Sequence, residues 1–147
     1  MAARLSPHDS PSVVAAYYGQ QVATGEVRLE VPAAPEFLRM SRIMAAGVAS
    51  RAGFTLDEVE DLRIAIDELC FALVGARRRT GTISIRYLLD ADGLVVEGTG
   101  RFSDGLGNEP VVSALSNQIL AAVVDECELS AGAEGPQFRL VKRHRSA

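Results

Sequence analysis

Glu68 lies in the run Asp61-Leu62-Arg63-Ile64-Ala65-Ile66-Asp67-Glu68-Leu69-Cys70, with Ala65 three residues before it and Ala72 four after. On a helix these three positions share one face, apart from the apolar stripe Val59, Leu62, Ile66, Leu69 and Leu73. Small residues on either side of a carboxylate could line a cleft. Glu68 can equally be an ordinary exposed glutamate whose small neighbours pack on a hairpin. Downstream, Gly98, Gly100, Gly105 and Gly107 read as a glycine-rich loop. Such backbone can approach a phosphate closely, but the Lys and Ser/Thr ending of a P-loop is missing, which favours a flexible loop. His8 and His144 have no Cys, His or carboxylate at ligand spacing, which argues against a metal site and against histidine-based catalysis. Cys70 and Cys127 fall in apolar stretches and read as small core residues.

The elements that must position these residues follow from periodicity. Glu26 to Val31 alternates as a half-buried strand, ended by Pro32 and Pro35. Phe37, Met40, Met44, Val48 and Ala52 form one helical stripe, closed by Gly53. Thr55 with Glu58 makes a capping box that starts the second helix. That helix is predicted to run to about Arg77, where Arg77, Arg78 and Arg79 complement the helix dipole. Ile83, Ile85, Tyr87 and Leu89 alternate before the turn Asp90-Ala91-Asp92-Gly93 and the run Leu94-Val95-Val96, a β-hairpin. Asn108, Glu109 and Pro110 suit the first turn of a third helix, with Val111, Leu115, Ile119, Ala122 and Val123 as its buried stripe. Two short strands follow, around Cys127 and Leu129 and around Phe138 and Leu140. Hairpin-length connections make the sheet largely antiparallel or mixed, with three helices on one face: an α/β (α+β) two-layer sandwich.

Size and composition agree with one domain. The chain has 147 residues, 48% of them hydrophobic and 23% charged, enough apolar content for a single packed core. A net charge of −4 disfavours a broad phosphate-binding surface and points to a protein or small-molecule partner rather than nucleic acid. No run approaches the ~20 apolar residues of a membrane span, and Val13 to Val22 is interrupted by Tyr17, Tyr18, Gly19, Gln20 and Gln21, so no leader is read there. The expectation is a cytoplasmic protein. Residues 1–25 read as a flexible N-terminal extension, a frayed tail in preference to a partner-binding or dimerising helix of two or three turns over Val13–Val22. Residues 26–142 read as the domain, and 143–147 as a short, solvated basic tail.

Three stretches carry a family resemblance: Arg28-Leu29-Glu30-Val31-Pro32-Ala33-Ala34-Pro35-Glu36, then Gly53-Phe54-Thr55, then Asp61 to Cys70. With the hairpin, the glycine-rich stretch, Val123-Val124-Asp125-Glu126 and Gly135-Pro136-Gln137-Phe138-Arg139-Leu140, the chain resembles anti-sigma-factor serine kinases of the GHKL ATPase superfamily. The resemblance implies a Bergerat-type fold, ATP and Mg²⁺ as cofactors, and Glu68 as the group that orients or deprotonates the attacking hydroxyl. In that family an asparagine four residues on ligates Mg²⁺; here Ala72 stands in its place, so no metal ligand is assigned. The family's adenine-binding aspartate falls on Glu97 in one register, with Thr99 and Arg101 on its glycines. In the other register Gly98 and Gly100 match and Val96 takes the aspartate's place. The implied nucleotide-facing set is therefore Ala65, Glu68, Ala72, Glu97, Gly98 and Gly100.

With those substitutions, the expected function is a regulatory protein that binds a sigma factor, an anti-sigma antagonist, or both, with little or no nucleotide use. Its surface would be the first helix and the nucleotide loop, and a homodimer is compatible. An active ATP-dependent serine kinase is the alternative, and a nucleotide-sensing module without transfer a further one.

Overall fold

The computed structural model describes residues 25–145. His8 and the Val13–Val22 patch lie outside the described residues. Eight elements follow in the order β1 (Gly25–Pro32), α1 (Pro35–Arg51), α2 (Leu56–Val74), β2 (Gly81–Leu89), β3 (Gly93–Phe102), α3 (Ala114–Val123), β4 (Glu126–Ala131) and β5 (Pro136–Arg143). The five strands form one sheet in the order β1-β2-β3-β5-β4, every neighbouring pair antiparallel. The helices cover one face. The expected two-layer α+β sandwich is the observed fold.

Alternation decides which side chains meet the helices. Val31, Ile83, Ile85, Tyr87, Leu94, Val96, Phe138 and Leu140 point inward and are buried against Leu62, Ile66, Leu69 and Leu73 of α2. Each large aliphatic side chain so buried contributes about 1.5–3 kcal/mol. The opposite face carries charge, including the ion pairs Glu26–Arg86, Arg86–Glu97 and Arg101–Glu134. In the β2–β3 turn, the Asp90 carboxylate accepts from the N–H groups of Asp92 and Gly93 at 2.8 and 2.9 Å, fixing the hairpin register.

α2 starts as expected: Thr55 and Glu58 exchange both bonds of the capping box. It ends at Val74, short of Arg77, because Gly75 adopts φ +82° and donates its N–H to the Phe71 carbonyl. The arginines therefore do not serve its dipole. Arg78 pairs with Glu36, and Arg79 turns toward Asp104.

On α1 the buried face is rotated from the predicted stripe. Ser41, Ala45, Val48 and Ala49 are buried, whereas Phe37 and Met40 are 37% and 48% exposed. Small residues let α1 approach α2 closely, with the Ser41 hydroxyl 3.5 Å from Cys70 Sγ. Tyr87, wholly buried, donates its hydroxyl to the Ser41 carbonyl at 2.7 Å and ties the sheet to α1. Burial pushes the Tyr87 phenol and the Cys70 thiol above their ordinary values, the thiol to about 11. Cys70 is a core residue as read; Cys127 is half-buried.

β3 runs on to Phe102, so Gly98 and Gly100 are strand residues and the loop spans 103–113. α3 begins at Ala114, capped by the Ser113 hydroxyl, and Leu120 is its buried side chain. Val111 and Leu115, predicted to be buried, are 68% and 65% exposed. The segment before Ser113 stays extended because the Val111 N–H bonds to the Ala72 carbonyl rather than within a helix.

The basic tail also differs from a solvated terminus. Arg143 completes β5, the His144 ring stacks on Phe54 at 4.2 Å, and the Arg145 N–H donates to Glu58. Burial opposes ionisation of the Glu58 carboxyl, but hydrogen bonds from Thr55 and Arg145 outweigh it and hold that carboxyl below its ordinary value.

Candidate functional site

Ala65, Glu68 and Ala72 do share a face of α2, and that face meets α3 and the loop before it. Ala65 and Ala72 are buried, Glu68 half-buried. Ser116, in the first turn of α3, donates its hydroxyl to Glu68 Oε2 at 2.6 Å. The Ser113 cap hydroxyl lies 3.1 Å from Ser116 Oγ and accepts the Ser116 N–H at 3.0 Å. A short relay of hydroxyls thus ends on Glu68. One helical turn further on, the Ala72 carbonyl, freed by the end of α2, accepts the Val111 N–H at 3.0 Å.

Arg79 holds the loop in this position. Its guanidinium makes two bonds to Asp104, at 2.9 and 2.8 Å, and a third to the Gly107 carbonyl. It also stacks 3.8 Å above the Phe102 ring. The Arg79 hydrogen bonds hold the Asp104 carboxyl well below the usual carboxylate range.

The strand side of the cleft is set by alternation. Val96, Gly98 and Gly100 face the helices, and Glu97 faces the other way, paired with Arg86 at 3.4 Å. The structure does not bring Glu97 together with Glu68. A Cβ on Gly100 would meet the Phe102 ring at 2.6 Å, and one on Gly98 would run into Phe138. The chain's own aromatic rings fill the space these glycines leave.

These residues do not fit a Mg²⁺-bound nucleotide. Ala72 offers a buried methyl where an oxygen ligand would be needed, and its carbonyl is already engaged. Val96 offers no acceptor, and the glycines are covered by Phe138 and Phe102. Among the described residues no group of three or more His, Cys, Asp or Glu is placed to hold a metal ion.

The resemblance singles out Glu68, whereas its contacts with Ser116 and Ser113 and the Arg79–Asp104 pair were not read from the sequence. The spacing Ser113-x-x-Ser116 at the head of an apolar stretch is an N-cap signal that could have located the start of α3. The Arg79–Asp104 pair, 25 residues apart, leaves no local trace.

The serine-protein kinase RsbW of Bacillus subtilis is 41% identical to the chain over 73 residues, and that of Listeria monocytogenes strain EGD-e 36% identical over 74. Over that stretch the chain is similar to the RsbW serine-protein kinases. The match takes in 48% of this chain, and the chain spans about half the length of the curated relatives it matches, 46% and 47% for these two. The RsbU and RsbW domains of a Mycobacterium tuberculosis protein superpose with a TM-score of 0.62 at 20% identity, covering 82% of this chain and 32% of that one, a likeness of fold. No family model matches the chain. Against RsbW relatives called kinases, the tie between Glu68 and Ser116 and the methyl of Ala72 become the points of interest.

Proposed function

We propose that this chain is a cytoplasmic regulatory binding protein that engages a sigma factor, an anti-sigma antagonist, or both, and acts by holding its partner rather than by phosphorylating it. One observation carries the reading: the carboxylate that would serve a kinase, Glu68, is occupied by the chain's own Ser116, beside an alanine that cannot ligate a metal. Phosphoryl transfer depends on positioning and on metal-borne neutralisation of charge, so both losses fall on the chemistry. Binding needs only surface. Phe37 on α1 and Leu106, Val111 and Leu115 around the loop present exposed apolar side chains, the composition of a protein-binding patch. Among the described residues no helix is long and apolar enough to cross a membrane.

The test is incubation of the full chain with Mg²⁺-ATP and an anti-sigma antagonist from the same host, with capture of bound proteins in parallel. The expected result is a retained sigma factor or antagonist and no phosphate transfer. Robust transfer that disappears in Glu68→Ala would overturn the reading.

An active kinase is the second reading, and one feature favours it. A serine hydroxyl 2.6 Å from Glu68 is the geometry in which a carboxylate takes a proton from an attacking hydroxyl. In that case Ser116 stands where a substrate serine would, and must move aside for turnover.

A further inference from the structure

No charged residue occurs between Glu109 and Asp125, in a chain that is 23% charged. α3 runs through this stretch, yet Leu120 is its buried side chain. Ala114, Leu115, Asn117, Gln118, Ala121 and Ala122 are exposed, Leu115 by 65%, and Val111 just before the helix by 68%. Beside α3 a groove of about 420 Å³ opens toward β4, with Leu120, Ala121, Val124 and Leu129 in its walls. β4 is an edge strand, bonded to β5 alone, so among the described residues no further element closes this flank. Surface helices ordinarily turn charged residues outward. This one turns out leucine, alanine and amides, the surface of an element that has a partner.

We propose that α3 is the contact face of a symmetric dimer of this chain, packed antiparallel against α3 of a second copy. Charge and shape select that occupant. A two-fold contact sets one patch against itself, so a charge near its centre meets its own like charge. The face of α3 has none to oppose. Leu115, Gln118 and Ala122 follow at steps of three and four residues and form one line along the helix. When two copies cross near Gln118, Leu115 of each lies over Ala122 of the other, a large side chain against a small one. Gln118 then meets Gln118, and an amide, which holds both donors and an acceptor, can bond to its own copy as a charged side chain cannot. A helix of ten residues, about 15 Å long, offers less than the ~800 Å² that each partner gives to a standard interface. The dimer is therefore weak, forming at roughly tens to hundreds of micromolar. It also bears on the site, because Leu115 directly precedes the Ser116 that donates to Glu68, so the second copy packs on the turn that makes this bond.

The test is equilibrium sedimentation of the full chain from roughly 1 to 500 μM. The expected result is a reversible monomer–dimer equilibrium whose dissociation constant rises about tenfold or more in Leu115→Glu and in Ala122→Glu, each of which sets carboxylates into the contact. Both positions are exposed, and amide protection of β2 and β3 checks that the variants stay folded. Where a glutamate costs the fold, a cysteine decides. Gln118→Cys, in a Cys127→Ser background, should close an interchain disulfide on mild oxidation about tenfold faster than Glu60→Cys on the exposed side of α2. A parent chain that stays monomeric throughout overturns the proposal and leaves the face to a different protein. A dimer unweakened by both glutamates, which is then built on another face, also overturns it, as do equal disulfide rates at positions 118 and 60.

Discussion

Ser116 on α3 and Glu68 on α2 are joined by a 2.6 Å hydrogen bond, the only side-chain bond recorded between these two helices among the described residues. It fixes the carboxylate that the family resemblance marks out and the start of α3 at once. Removing the hydroxyl in Ser116→Ala is expected to cost about 1 kcal/mol, the size of a net hydrogen bond to a half-buried group. A double-mutant cycle with Glu68→Ala, read by urea unfolding, should return a coupling of about 0.5–1.5 kcal/mol. Additive single effects would show that the bond contributes nothing.

Gly98 faces the helices and lies under the Phe138 ring. Gly98→Ala forces that ring to move within a packed core and should destabilise by about 1–3 kcal/mol. Gly107→Ala, with no atom within 4 Å of the new methyl, serves as the control and should stay within about 0.5 kcal/mol of the parent. Equal denaturation midpoints for the two variants would contradict the packing role of Gly98.

Arg79 holds the 103–113 loop through Asp104 and Gly107. In Arg79→Ala the Leu106 amide, which donates to Asp104 Oδ1 at 3.0 Å, should exchange with solvent much faster while β2 and β3 remain protected. Unchanged exchange would mean that the loop is held by the Val111–Ala72 bond alone.

The same pair sets a dependence on acid. The Asp104 carboxyl lies well below the usual carboxylate range in the folded state, so it binds its proton less readily there than in the unfolded chain. Its contribution is complete above the ordinary Asp value of about 3.9 and is lost only as pH falls through the lower folded value. An NMR titration of the Leu106 amide should therefore show the loop still in place at about pH 4 and released only under stronger acid. In Arg79→Ala the transition should move up toward the ordinary value; a midpoint already there in the parent chain would sink the assignment.

Cys70 is buried, and its thiol is pushed up to about 11. The thiolate is the reactive form, so at pH 8 Cys70 should resist alkylation until the protein unfolds. Cys127, half-buried and raised by burial and by the nearby Glu128, should react first. Mass-resolved alkylation in native buffer and in urea checks the order, and rapid native labelling of Cys70 would contradict the packing.

Much of this protein is determined by local pattern. The α2 stripe Val59, Leu62, Ile66, Leu69 and Leu73 is buried as its periodicity requires, and the Thr55–Glu58 box opens that helix. The β2–β3 turn at Asp90–Gly93 and the alternation of β1, β2 and β5 likewise follow from neighbours two to four residues apart. Glu68 is marked out by the family resemblance of the run Asp61 to Cys70, not by periodicity. Other features depended on distant contacts. Whether α1 buries Phe37 and Met40 or Ser41 and Ala45 is decided by how closely α1 can approach α2, which apolar spacing does not encode. The family resemblance leaves Glu97 or Val96 at the aspartate position, and only the pairing of β3 within the sheet turns Glu97 outward and Val96 inward. The partners that define the site, Ser116 for Glu68 and Asp104 for Arg79, come from 48 and 25 residues away. Periodicity specifies which face of an element is apolar; only closure of the tertiary structure specifies which polar groups meet across it.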